Sequence, residues 1–212
     1  MSTFPSPYQP LHDEGAEHPF VVLEGVSGVG KSTLRKLLVQ RLGATGIHTL
    51  HRPHGNWSSH VNTMLRPLPQ FAFYLSGALH ASDAVRQARA VGPVVADRYV
   101  SSVIACHAAV HRIGLEHVAK LLEPFRAYLA TPTHTFYLRC SEKTLRERLA
   151  GKSDRTLDDT ELIEVPTRLE RLAANFEAVA RQDPTAVWLN TEEKTPGILA
   201  DWIFTRLEAG SA

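Results

Sequence analysis

Residues 25–33, GVSGVGKST, constrain this chain more than any other segment. The spacing G-x-x-x-x-G-K-[ST] lies between an apolar run, residues 20–24 (FVVLE), and a stretch whose leucines at 34, 37, 38 and 42 recur at helical intervals. A nearly continuous apolar run is what a strand buried on both faces of a parallel sheet requires. Glycines at 25, 28 and 30 let main-chain N–H groups curl around an anion where the next helix presents its N-terminal dipole. Strand, glycine-rich loop and helix in this order are the context that makes the motif a phosphate-binding loop rather than an idle turn. Gly25, Ser27, Gly28, Val29, Gly30, Lys31, Ser32 and Thr33 are therefore the candidate nucleotide-binding residues. Lys31 is expected to bridge the β- and γ-phosphates, Ser32 to offer its hydroxyl to Mg2+, and Thr33 to reach the α-phosphate.

Downstream, the alternation of strand and helix patterns continues. Strands are expected at 48–52, 94–97, 135–139 and 186–190. Helices are expected at 71–91, 101–112, 116–129, from 145, at 161–181 and at 196–207, with a polar, glycine-led loop over 151–160. Five strands joined through helices need parallel pairing and right-handed crossovers, so the fold class is α/β: a three-layer sandwich around a five-stranded parallel sheet. A chain of 212 residues fits one such domain, here 19–212. Residues 1–18 carry prolines at 5, 7 and 10 and no apolar run, which predicts a flexible tail.

A formal net charge of +1 provides no field suited to nucleic acid or a membrane surface, so anions must be held by local groups. No stretch reaches the ~20 apolar residues of a spanning helix. Cys106 and Cys140 form no C-x-x-C pair, which argues against zinc or a disulfide framework and for a reducing cytoplasm. His48, His51, His54 and His60 cluster without any zinc spacing and read as polar loop residues.

A second constellation is Asp97-Arg98-Tyr99, directly after an apolar strand. Residues there emerge at the carboxyl edge of the sheet, where open α/β folds bind ligands. Asp97 is then a candidate for Mg2+ or for accepting a proton, and Arg98 for holding a phosphate. The alternative is a surface ion pair.

These residues resemble thymidylate kinase and its relatives among the P-loop nucleoside and nucleotide kinases. The resemblance runs from Phe20 to Leu207. It rests on Glu24-Gly25, Pro53, His80 and Arg86, Asp97-Arg98-Tyr99, the run 135–138 (TFYL) followed by Ser141-Glu142, and Asp154-Arg155. It implies an ATP- and Mg2+-dependent phosphotransferase acting on a small acceptor, in which Arg98 contacts the acceptor phosphate, Phe73 stacks on the acceptor base, and 151–160 is a lid over ATP. It also implies a homodimer formed through helices flanking the sheet. Phosphoryl transfer needs positive charge beyond Lys31 and Mg2+. The variable P-loop positions hold no arginine, so the lid is expected to supply it from Arg146, Arg148, Lys152 or Arg155, with Arg148 and Arg155 favoured. The catalytic set is then Lys31, Asp97, Arg98, Arg148 and Arg155, with Ser32 and Asp97 for the metal.

The chain departs from the family pattern at the acceptor. Ser27 replaces an acid that holds the sugar hydroxyl, Gly77 falls where a thymine-reading arginine belongs, and Val103 and Cys106 fall where polar residues face the base. Without groups that hydrogen-bond the base edge, thymine is not selected. A roomier, more apolar acceptor pocket formed by Arg52, Phe73, Gly77, Arg98, Val103 and Cys106 is expected. Residues 47–60 contain no carboxylate to activate a sugar hydroxyl, whereas Arg52, Arg66 and Arg98 suit an anionic monophosphate. A nucleoside or other small-molecule kinase acting on a hydroxyl through Asp97, and a nucleotide-binding protein without transfer chemistry, are the alternatives.

Overall fold

A computed structural model describes residues 6–8, 18–153 and 155–209. The expected tail at 1–18 and Asp154 of the lid fall largely or wholly outside these residues. Tyr8 is described: its ring is buried and stacks on Tyr99, centroids 6.1 Å apart.

Five strands, β1 (Phe20–Glu24), β2 (Thr45–His48), β3 (Val94–Asp97), β4 (His134–Arg139) and β5 (Ala186–Asn190), form one parallel sheet in the order β2-β3-β1-β4-β5. β1 and β3 are buried along their whole length, as their unbroken apolar runs require. Helices α1 (Lys31–Leu42) and α9 (Pro196–Ala209) pack on each other. A second group comprises α3 (Pro67–Arg89), α4 (Val100–His111) and α8 (Arg168–Ala180), with α4 in contact with both others. The three-layer α/β sandwich is thus as expected. Among the described residues no helix is long and apolar enough to cross a membrane.

Several element boundaries differ from those read in the sequence, for local reasons. β2 lies at Thr45–His48 rather than 48–52, because Gly43 ends α1 in a left-handed turn and puts Thr45 opposite Val94 and His48 opposite Asp97. The long helix starts at Pro67, a position where a proline's missing N–H is harmless. The helix expected at 116–129 is α5 (Leu115–Leu122) followed by a 3-10 segment, Glu123–Tyr128, that opens at Pro124. A short 3-10 turn (His54–Asn56) and α2 (Ser58–Met64) lie in a region where no element was expected; of α2 only Val61 is buried, so no apolar periodicity announces it.

The lid differs most. The helix expected from 145 is α6 (Glu142–Ala150), with Ser141 as N-cap. The loop expected over 151–160 ends at Thr156, which caps α7 (Leu157–Glu164) through a reciprocal capping box with Asp159. The single helix expected at 161–181 is α7 and α8, separated at Pro166 and at Thr167, whose φ is 61°.

Candidate active site

β1 sits at the centre of the sheet with β3 on one side and β4 on the other, so the connections leaving β1 and β3 run to opposite sides, toward β2 and toward β4. The crevice beyond the carboxyl ends of β1 and β3 holds both sequence constellations. It opens into one cleft of about 1430 Å³. That exceeds the roughly 300–1,000 Å³ of a pocket for one small ligand, which leaves room for a donor and an acceptor together.

At one end of the cleft is the P-loop. Gly25, Gly28 and Gly30 have φ of 131°, 86° and 106°. A Cβ on Gly25 would lie 2.5 Å from the Leu138 carbonyl oxygen of β4. At Gly28 it would lie 3.0 Å from Leu149 and 3.1 Å from Leu145, because α6 packs directly on the loop. This contact explains why position 28 carries no side chain that reaches the phosphates. α1 starts with no side-chain cap, so its first N–H groups face the loop unclaimed by any side chain. Lys31 Nζ donates to the Gly25 and Val26 carbonyls, at 2.9 and 2.7 Å, and burial, with Arg98 nearby, pulls its ammonium down to about 7.

Asp97 and Arg98 enter from β3. Ser32 Oγ donates to Asp97 Oδ2 at 2.7 Å, while Asp97 Oδ1 is buried with no hydrogen-bond partner among the described residues. Burial pushes the Asp97 carboxyl up, but Lys31, the Ser32 hydroxyl and Arg98 outweigh it and hold the group below its usual range. An ionised oxygen lacking a partner beside the Ser32 hydroxyl fits a hydrated divalent cation, which takes oxygen ligands and keeps several waters. Arg98 is held in a left-handed conformation, φ 67°, and its Nη1 donates to Gly25 O at 3.3 Å and Ser102 Oγ at 3.1 Å. Glu24 explains this fixed geometry. Its fully buried carboxylate, at the end of β1, accepts from the N–H groups of Tyr99 and Ser102, at 2.8 and 3.0 Å, and from the Ser102 hydroxyl, and so caps α4 from another element.

On the lid side, Arg148 and Arg155 separate. Arg148 lines the cleft, donating to Val29 O at 3.2 Å, Thr191 Oγ1 at 3.0 Å and Thr191 O at 2.7 Å, which ties α6 to the P-loop and to the segment after β5. Arg155 is exposed and outside the cleft lining, as is Arg146, which pairs with Glu142. Two cations not favoured in the sequence line the cleft instead. Lys152 Nζ donates to Asp159 Oδ2 at 2.7 Å, and Arg168, at the first position of α8, pairs with Glu161.

The end of the cleft away from the P-loop carries polar side chains beside apolar ones. Val103 and Cys106 line it, and burial raises the Cys106 thiol. Between them and the lid runs a network that sequence reading missed. Gln70 Nε2 and Tyr74 Oη both donate to Asn62 Oδ1, at 2.9 and 2.7 Å; Asn62 Nδ2 donates to Asp158 at 2.9 Å; His111 Nε2 meets Gln70 Oε1. His107, whose ring lies 4.6 Å from that of His111, also lines the cleft; burial and His111 lower it to about 4. Burial raises the Tyr74 phenol to about 12.

Phe73 and Gly77 are not part of this lining. One residue along a helix is a rotation of about 100°, so Tyr74 faces the cleft while Phe73 packs against His54 outside it. A Cβ on Gly77 would lie 2.7 Å from Leu50 Cδ2 and 3.2 Å from Thr49 O, so that position is filled by the segment after β2. Arg52 and Arg66 are exposed and stand away from the cleft. The spacing 70 and 74 on α3, one helical turn, was the sequence signal for the polar face; Asn62 on the unannounced α2 had none.

A family model described as thymidylate kinase matches residues 23–200. Thymidylate kinase of Rhizorhabdus wittichii is 28% identical over 79% of this chain and 86% of its own, and a probable thymidylate kinase of Natronomonas pharaonis is 30% identical over 77% and 84%. The match to thymidylate kinase of Pseudomonas fluorescens is 31% identical and spans about half of each chain, 48% and 55%. Among solved structures, thymidylate kinase of Candida albicans superposes with a TM-score of 0.75 at 18% identity, covering 91% of this chain and 92% of that one.

Proposed function

The chain belongs to the thymidylate kinase family and is a P-loop kinase, and on that premise we propose that it transfers the γ-phosphoryl group of Mg-ATP to a nucleoside monophosphate other than thymidylate. The observation that carries the reading is the pairing at the carboxyl edge of β3: Asp97 is bound to Ser32 of the P-loop while Arg98, beside it, is half-buried and tied to both the P-loop and α4. A carboxyl that Lys31, the Ser32 hydroxyl and Arg98 hold below its usual range is a weak base for a sugar hydroxyl. A guanidinium held at the same place suits an acceptor that is already anionic and needs charge neutralisation rather than deprotonation. Both features support a monophosphate over a nucleoside.

In this reading Lys31 and the N–H groups of residues 28–33 bind the donor phosphates, Ser32 and Asp97 would hold Mg2+, and Arg98 holds the acceptor phosphate in line. Bound there, Mg2+ neutralises charge on the phosphate oxygens. Arg148, Lys152 and Arg168 line the lid side and supply the remaining positive field; Arg155 is left without a role. The preference against thymidylate is supported by Gly77, which carries no base-reading side chain and stands outside the cleft lining, and by the Asn62, Gln70 and Tyr74 network in the cleft. The free thiols of Cys106 and Cys140 suit the cytoplasm, and a homodimer belongs to the same proposal.

An ADP-release assay across nucleosides and their monophosphates tests this, with Lys31→Ala and Arg98→Ala as controls. Turnover with one or more monophosphates, lost in both variants, is expected. Turnover confined to nucleosides would overturn the monophosphate reading, and ATP binding without acceptor-dependent turnover would overturn the kinase reading.

A further inference from the structure

Four carboxylates line the cleft among the described residues, and three are accounted for: Asp97 on Ser32, Asp158 on Asn62, and Glu161 paired with Arg168. The fourth, Asp159, does something different. It projects from α7 on the lid and accepts the hydroxyl of Ser27, in the middle of the P-loop, 132 positions away in sequence, at 2.5 Å. Its other oxygen accepts from Lys152 Nζ at 2.7 Å and from Thr156 N–H at 3.0 Å, and the residue is only 2% exposed. Lys152 and the hydrogen bonds from Ser27 and Thr156 overcome burial and hold this carboxyl down to about 2, so it is ionised at neutral pH.

Capping α7 does not require this position. A capping box uses one oxygen of the third residue and leaves the other free; here the free oxygen is spent on the P-loop. Burial opposes the charge of the Arg98 guanidinium, and Cys106, Asp97, Glu24 and, least of these, Asp159 outweigh it. An anionic oxygen in the same cleft as the group that holds a phosphate repels phosphate itself and attracts O–H donors. In a nucleoside monophosphate the O–H groups a few bonds from the phosphate are those of the sugar. Asp159 Oδ1 has one partner, Ser27, and a carboxylate oxygen accepts two.

We propose that Asp159, held against Ser27, is the residue that recognises the sugar hydroxyl of the acceptor, so that the lid helix rather than the P-loop supplies the carboxylate at this subsite. The inference rests on the kinase reading above. It makes acceptor recognition depend on the lid being docked, because the recognising group and the phosphate-binding loop belong to separate elements joined at Ser27.

The test compares kcat/KM for 2′-deoxynucleoside monophosphates with that for their 2′,3′-dideoxy counterparts, in wild type, Asp159→Asn, Thr156→Ala, and the double variant Ser27→Asp with Asp159→Ala. Loss of a hydrogen bond to a charged group corresponds to about 10- to 100-fold. The wild type should favour the hydroxylated acceptor by that factor. Asp159→Asn should reduce the preference toward unity with KM for ATP unchanged, Thr156→Ala should leave it in place, and the double variant, which returns a carboxylate to the same contact from the P-loop side, should restore it. Equal losses for both acceptors in Asp159→Asn, or a preference erased equally by Thr156→Ala, would make Asp159 a capping residue only and overturn the proposal. Absence of turnover with every acceptor in the wild type would instead overturn the kinase reading and this inference with it.

Discussion

The two ends of the cleft are built on different principles. At the P-loop the shape comes from main chain: three glycines at positive φ, a helix start without a side-chain cap, and a β4 carbonyl against Gly25. At the acceptor end the surface comes from side chains of four helices, with Asn62 from α2, Gln70 and Tyr74 from α3, Val103, Cys106 and His107 from α4, and Asp158 from α7. A backbone cradle recognises what every nucleoside triphosphate shares, and tolerates little change. A side-chain surface can be exchanged residue by residue while the fold holds, which makes it the place where specificity drifts.

The sharpest way to break this contrast is at Lys31. Its replacement by alanine should lower kcat/KM by about 10³-fold, a loss of about 4 kcal/mol in transition-state stabilisation, while the fold, monitored by circular dichroism, stays intact. Next is Gly25→Ala, where a positive φ and a backbone oxygen at 2.5 Å leave nothing that can yield. Urea denaturation should show a loss of at least about 3 kcal/mol; a loss well below that would show that the P-loop is less constrained than its geometry implies.

The acceptor end gives smaller, tunable effects. His107 is held neutral, with its folded value lowered from 6.5 to about 4. Below 6.5 the unfolded chain takes up a proton that the folded one refuses, so stability present above that pH is lost as pH falls toward 4. The loss is expected to be about 2 to 3 kcal/mol, read from denaturation midpoints across this window, and His107→Phe should flatten the profile. The mildest effect is expected for Asn62→Ala, which should raise KM for the acceptor about tenfold, near 1.4 kcal/mol, with KM for ATP unchanged. Equal changes in both constants would erase the distinction between the ends.

The same division governs what could be read from the chain. Gly25 to Thr33 announces itself because backbone geometry demands particular residues at particular spacings, and the apolar run of β1 and the leucines of α1 flank it. Asp97 and Arg98 were legible for a related reason, since strand ends in parallel sheets open onto the ligand crevice. The lid was read as a loop because residues 151–160 are polar, yet Thr156 and Asp159, three apart, spell the capping box that starts α7. Phe73 and Tyr74 differ by one helical step, and which of them faces the cleft depends on how α3 sits on its neighbours. Asn62 lies on a helix with one buried residue, so nothing periodic marked it. Arg168 carries no such mark, because the helical pattern expected at 161–181 runs through the break at Pro166 and Thr167 that brings it to the start of α8.

A retained phosphate-transfer end joined to a rebuilt acceptor end should show itself in the choice of acceptor. Measuring kcat/KM for thymidylate beside the other nucleoside monophosphates, at saturating Mg-ATP, tests it most directly. Another monophosphate should be phosphorylated at least about tenfold more efficiently than thymidylate. Thymidylate as the best acceptor would contradict it.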